Sequence, residues 1–120
     1  MLLHLGWQGI SLGLLEKSIA RFQNPQSVEM ALGPACGGCC YEVEGWLVNK
    51  LENNSQIEEK AKVNLDLREI LIGRGKSLGI SPDNIYFTRA CSICDERFFS
   101  YRRQKALAGR QVSVIGGDLM

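Results

Sequence analysis

Apolar residues at Leu12, Leu15, Ile19 and Phe22 recur at helical spacing, with Glu16, Lys17 and Arg21 on the opposite face. This predicts a first helix that ends before Asn24-Pro25, because proline disfavours the α region for its predecessor. Ahead of it, Met1 to Leu5 is apolar and runs into Gly6-Trp7-Gln8-Gly9, as a strand runs into a tight turn. Val28, Met30 and Leu32 alternate with Ser27, Glu29 and Ala31, predicting a half-buried strand stopped by Gly33-Pro34. Val43, Trp46, Leu47 and Leu51 predict a short second helix, broken at Asn53-Asn54-Ser55. Asp66 to Glu69 reads as a capping box; Leu67, Ile70, Leu71 and Leu78 form the apolar stripe of the helix it opens, and Gly79 is its left-handed stop. Ser81-Pro82-Asp83-Asn84 is a turn before a strand over Ile85 to Thr88, and Val112, Val114 and Gly116 line one face of a last strand.

The predicted order is strand, helix, strand, helix, helix, strand, loop, strand. That is an α/β chain of the α+β type, a layered sandwich of mixed β-sheet and helices forming one domain over residues 1–120. A buried strand at the very start needs neighbours on both sides, and few other strands are visible. The expectation is a small sheet, or one completed by another chain.

Two segments fit neither period. Gly33-Pro34-Ala35-Cys36-Gly37-Gly38-Cys39-Cys40 is a loop whose glycines allow close backbone approach and whose amides could cradle an anion, although no Walker or dinucleotide pattern is present. Cys91 to Arg103, CSICDERFFSYRR, crowds cysteines, acids, arginines and aromatic rings into an irregular stretch, which reads as a functional loop. Arg102 and Arg103 could hold a phosphate or carboxylate through forked hydrogen bonds. The plainer alternative is a surface loop with two rings tucked under it.

Composition narrows the setting. At 120 residues with 45% hydrophobic and 22% charged, the chain makes one folded domain, and its net charge of +1 argues against a nucleic-acid or anionic-membrane partner. No apolar stretch is long enough to span a bilayer, and Met1-Leu2-Leu3 does not begin a secretory signal. Five cysteines, an odd number, suit a reducing cytoplasm better than a disulfide scaffold.

Cys36-x-x-Cys39 and Cys91-x-x-Cys94, with Cys40 beside the first, offer thiolates for a structural zinc site, but the interval between the pairs is far longer than in zinc ribbons. Against that stands ordinary packing of small thiols in glycine-rich turns. A redox role is a third option, although neither pair opens a helix that would lower a thiol pKa. His4 is the single histidine, either a metal ligand or a plain hydrogen-bonding group. Ser100, His4 and Asp95 can be assembled into a triad on paper, as in most chains.

Three segments in this order carry a resemblance: His4-Leu5-Gly6-Trp7-Gln8-Gly9; Gly33-Pro34 through Cys39-Cys40-Tyr41-Glu42-Val43; and Cys91 through Phe98-Phe99-Ser100-Tyr101-Arg102-Arg103 with Gly109-Arg110. Together they resemble the C-terminal half of the laccase-domain family, once described as polyphenol or multicopper oxidases and understood as zinc-dependent purine nucleoside phosphorylases with adenosine deaminase side activity. The resemblance implies the layered fold of that family, with purine nucleoside and phosphate as substrates. It also implies a metal held by two histidines and a cysteine. His4 occupies the position of one histidine, in a motif that usually reads His-x-Gly-Trp-Arg-Gly. The other two ligands belong to an N-terminal half that these residues do not include. Gln8 stands where arginine is usual, so a forked cation is missing. Arg102, Arg103 and Arg110 are the candidate anion contacts.

The expectation is an incomplete laccase-like domain, weak or inactive alone, partnered by its missing half or by a second copy. The alternatives are a non-catalytic zinc module on Cys36, Cys39, Cys91 and Cys94, or a truncated relic. A single histidine cannot assemble the multicopper centre of the older family name.

Overall fold

The computed structural model describes residues 1–53 and 56–116. Among these described residues are two two-stranded sheets and five α-helices: α1 (Trp7–Ser11), α2 (Leu14–Ile19), β1 (Met30–Leu32), β2 (Glu42–Glu44), α3 (Gly45–Glu52), β3 (Lys62–Asn64), α4 (Leu67–Ser77), β4 (Ile85–Phe87) and α5 (Tyr101–Gln104). β1 and β4 pair in parallel, with Met30 opposite Ile85 and Leu32 opposite Phe87. β2 and β3 pair antiparallel, with Val43 opposite Val63. The connection from β1 to β4 carries the antiparallel β2–β3 pair, α3 between its two strands, and α4, as a parallel pair requires a long crossover.

The core forms where these elements meet. Ile10 of α1, Leu15 and Ile19 of α2, Leu47, Val48 and Leu51 of α3, Leu71 and Ile72 of α4, and Ile80 and Ile85 beyond it are all buried. Trp7 and Trp46 meet edge to face at 5.7 Å, fastening α1 to α3 in a geometry that aromatic quadrupoles favour. No helix among the described residues is long and apolar enough to cross a membrane.

α4 follows its sequence signals closely. Asp66 is the N-cap, its carboxylate accepting from the Arg68 amide at 3.0 Å, and Gly79 takes the left-handed conformation at φ 99°. β1 lies within the alternating stretch and β4 follows the predicted turn, each shorter than expected, with Tyr86 and Phe87 both exposed. Asn53 ends α3 in a left-handed conformation at φ 53°; Asn54 and Ser55, the rest of that predicted break, lie outside the described residues.

Several expectations are corrected. Met1 to Leu5 forms no strand, and Met1 and Leu2 are more than half exposed. Residues 111–116 form no strand either, with Val112 and Val114 almost fully exposed. In both cases no neighbouring strand among the described residues offers the ladder that extended backbone needs. The predicted turn at Gly6-Trp7-Gln8-Gly9 is the start of α1. Gly13, at φ 78°, separates α1 from α2, so Leu12 turns out to solvent and the helix ends at Ile19 rather than near Asn24. Asn24 instead caps a short 3-10 turn over Pro25–Ser27.

Gly45 shows how tightly the segment leading into β3 packs on the start of α3. Its amide donates to the Ala61 carbonyl at 2.8 Å, and a Cβ at this position would run into the Glu58 carbonyl, a backbone atom that cannot turn away. Gly45→Ala is expected to cost about 1–3 kcal/mol by overpacking, read as a lower urea midpoint with an unchanged slope.

Candidate functional site

The two irregular segments leave from the same ends of the parallel strands. β1 runs into the Cys36 loop and β4 into the Cys91 loop, and an isolated parallel bridge between Ala35 and Cys91 extends their contact beyond the strands. The Ser92 amide donates to the Ala35 carbonyl at 2.9 Å. Past that bridge the Cys39 sulfur meets the Cys94 sulfur. The strand register therefore carries one cysteine loop onto the other.

The result is a cluster. The sulfurs of Cys39, Cys40, Cys91 and Cys94 all lie within 4.8 Å of one another. Cys39 to Cys94 is 3.4 Å and Cys40 to Cys94 is 2.7 Å. The Gly37 amide donates to the Cys91 sulfur at 3.2 Å, while the Gly37 carbonyl accepts from the Cys40 and Tyr41 amides. Close approach is needed here: a Cβ on Gly37 would sit 3.2 Å from both Arg68 Nη2 and Cys91 Cβ. The sequence had paired Cys36 with Cys39, but it is Cys40 that joins the group. Cys36 turns its thiol toward the Gly37 carbonyl, 3.6 Å away.

The thiols titrate differently. Burial pushes Cys36 up to about 12, with neighbouring Cys91 adding to it and Arg102 opposing. Burial also acts to raise Cys91, but the backbone amides of Cys94, Gly37 and Ile93 donate to its sulfur and bring it down to about 6.

Two arginines fix the chain on either side of Cys91. Arg68, buried in the first turn of α4, sends Nη1 to the Thr88 carbonyl at 2.5 Å and to the Ala90 carbonyl at 2.7 Å, and pairs with Asp66 at 3.3 Å. Arg103 donates to the Ser92 carbonyl at 3.1 Å, the Phe98 carbonyl at 2.6 Å and the Asp95 carbonyl at 3.4 Å, and also bonds the Ile93 carbonyl. Neither arginine stood out from the sequence as a loop fastener. The only hint was a cation next to the Asp66 cap and another three residues after Ser100.

The FFSYRR segment folds into the start of α5. Ser100 is its N-cap, accepting from the Arg103 amide at 3.3 Å, while the Ser100 amide donates to Gln104. The segment is held to the chain that follows by a reciprocal pair: the Phe99 amide donates to Gln111 Oε1 and Gln111 Nε2 to the Phe99 carbonyl, each at 2.9 Å. Gly109 lies flat against the Phe99 ring, where a Cβ would come within 2.8 Å. This accounts for glycine beside Arg110.

The remaining sequence candidates are dispersed. His4 is exposed on the segment before α1, and it lines neither the cleft of about 220 Å³ beside Cys39 and Arg68 nor the one of about 600 Å³ beside α4. Among the described residues it belongs to no group of three ligand atoms, so these residues do not by themselves build the three-ligand metal centre that the resemblance implies. Arg102 is exposed and stacks its guanidinium 5.2 Å from the centre of the Tyr41 ring. Arg110 is exposed and donates to the Ala108 and Gly109 carbonyls. Arg97 forks onto Asp95 and holds that carboxyl down at about 2, so Asp95 and Ser100 both have local partners.

Comparison with known proteins matches this arrangement to a family over nearly its whole length. The chain is 30% identical to purine nucleoside phosphorylase YlmD of Geobacillus stearothermophilus, over 96% of its own length and 47% of that protein's. It is 32% identical to purine nucleoside phosphorylase YfiH of Escherichia coli, over 93% and 48%. The crystal structure of the Bacillus licheniformis hypothetical protein YfiH superposes with a TM-score of 0.73 at 28% identity, covering 83% of this chain and 43% of that one. The chain thus spans about half the length of the curated relatives it matches. With the family model matching residues 1–118, the chain belongs to the multi-copper polyphenol oxidoreductase laccase family.

Proposed function

We propose that these residues form the C-terminal half of a purine nucleoside phosphorylase acting in the cytoplasm, with adenosine deamination as a side activity. In phosphorolysis a phosphate oxygen bonds to ribose C1′ as the C1′–N9 bond breaks, and its electron pair leaves with the base, which takes up a proton. The observation that carries this reading is the match over residues 1–118 to a family whose relatives bear that enzyme's name. His4, free to solvent, supplies one imidazole to a zinc site whose remaining histidine and cysteine lie on the family's other half. Arg102 and Arg110 are the exposed guanidiniums available to an anionic substrate, and Arg103 holds the loop that presents Arg102.

A centre that needs three protein ligands cannot be completed by one. The 120-residue chain alone is expected to release no hypoxanthine from inosine above background. The same chain extended at its N-terminus by the family's other half is expected to release it in proportion to phosphate. His4→Ala in the extended protein should lower the rate at least about 100-fold, since disturbing even the groups behind a metal ligand costs up to about that much. An extended protein that stays inert at saturating inosine and phosphate would overturn the reading, and full activity in His4→Ala would remove His4 from the site.

A further inference from the structure

The nucleoside chemistry leaves the four converging cysteines without a use. We propose that Cys39, Cys40, Cys91 and Cys94 form a closed, structural site for a single zinc-class divalent ion, separate from any metal held by His4.

Geometry is the first support. Zinc takes thiolate ligands at about 2.3 Å, which sets the sulfurs of a tetrahedral set about 3.8 Å apart. The four sulfurs here lie within 4.8 Å of one another, with contacts of 3.4 and 2.7 Å, so they bracket that spacing. An entering ion has to spread the Cys40–Cys94 pair by about 1 Å and otherwise finds its ligands gathered. Four sulfurs with no carboxylate or imidazole are the donor set that selects zinc over magnesium or calcium.

The framework is the second support. Gly37 reaches both loops, its amide donating to Cys91 and its carbonyl closing the turn that carries Cys40. The Cys91 turn is closed by the Asp95 amide on the Cys91 carbonyl at 2.8 Å and is gripped by Arg103 from one side. Arg68 grips the chain entering it. Ligands supported in this way have their orientation fixed before an ion arrives.

Charge is the third. Four thiolates around one divalent ion carry a net charge of −2, and the protons of the thiols still protonated pass to solvent on binding. Arg68 Nη2 beside Gly37 and Arg102 over Tyr41, next to Cys40, place positive charge around that anion. The ion would join the loop after β1 to the loop after β4, holding the FFSYRR segment against the body of the fold without taking part in catalysis.

The test uses the full 120-residue chain, reduced and anaerobic, titrated with zinc chloride and separately with cobalt chloride. The expected result is one ion per chain, a tetrahedral cobalt–thiolate spectrum, four of five thiols shielded from alkylation, and a melting temperature that falls when a chelator strips the ion. Cys94→Ser should lose stoichiometric binding. Cys94→His, which restores a donor, should keep it with an altered cobalt spectrum, so a folding defect in the serine variant cannot pass for ligand loss. Cys36→Ser and His4→Ala should both bind as the parent does. The proposal is overturned if the folded, reduced chain binds no zinc, if Cys36→Ser abolishes binding, if a Cys40–Cys94 disulfide occupies the site in protein prepared without oxidant, or if His4→Ala releases the ion. Because His4 plays no part in this site, failure of the phosphorolysis assay would leave it standing.

Discussion

Arg103→Ala is expected to loosen the whole segment from Ser92 to Gln111 and to cost about 2–4 kcal/mol. The guanidinium is the shared donor for the carbonyls of Ser92, Ile93, Asp95 and Phe98, which otherwise have no common partner in this irregular stretch. Hydrogen bonds to a charged donor are worth about 1.5–3 kcal/mol each, and the half-buried position of Arg103 reduces their sum. Loss of the side chain also removes what stands between the Cys91 turn and α5. Hydrogen exchange reads the effect locally: the Asp95, Phe98 and Gln104 amides, which bond within this segment, should exchange faster while those of α4 hold. Arg103→Lys is the discriminating partner. An ammonium can serve Ser92 or Phe98 but does not fork between them, so it should recover a minor part of the loss. Equal exchange in Arg103→Ala and the parent would mean that the aromatic packing alone orders the loop.

This dependence on one side chain shows why so much of the site was hard to see in the chain. Arg102 and Arg103 look alike in sequence, as a pair of cations suited to an anion. In the fold, one stacks on Tyr41 at the surface and the other turns inward to bind carbonyls. The difference is set by the Ser100 cap, which starts a helical turn and sends successive side chains in different directions. α4 is legible because cap, period and glycine stop agree, β1 because its side chains alternate, and β4 because the turn at Pro82–Asn84 introduces it. β2 and β3 carry charged or polar residues on both sides of a single valine, Glu42-Val43-Glu44 and Lys62-Val63-Asn64, so no apolar pattern marks them, and each supplies the other's ladder. α1 reads as a turn in the sequence because its glycines outweigh Trp7 and Ile10, whose packing against the core, Ile10 fully and Trp7 partly buried, stabilises the helix. The cysteine motifs were visible as two pairs, but their meeting depends on the β1–β4 register, which no local spacing reports. Choosing Cys40 over Cys36 depends further on the turn that Gly37 closes.

Arg74→Ala is expected to cost about 3 kcal/mol, because one guanidinium closes the ends of two helices at once. From the middle of α4 its Nη1 donates to the Ile10 carbonyl at 2.8 Å, in the last turn of α1, and its Nη2 to the Leu51 carbonyl at 2.5 Å, in the last turn of α3. Glu16 of α2 completes the contact at 3.3 Å. The last carbonyls of a helix have no partner within it, and a cation there also meets the negative end of the helix dipole. Two charge-assisted bonds at about 1.5–3 kcal/mol each, less the share water regains at a side chain 23% exposed, give the figure. The half-buried ion pair with Glu16 adds little, since it is a single 3.3 Å contact whose attraction is offset by desolvation of the carboxylate. Glu16→Gln should therefore be nearly silent where Arg74→Ala is severe, and Arg74→Lys, which reaches one carbonyl at a time, should fall between them. Urea unfolding of the three variants decides the matter. If Glu16→Gln cost as much as Arg74→Ala, the ion pair and not the helix ends would be what joins α1, α2 and α3 to α4.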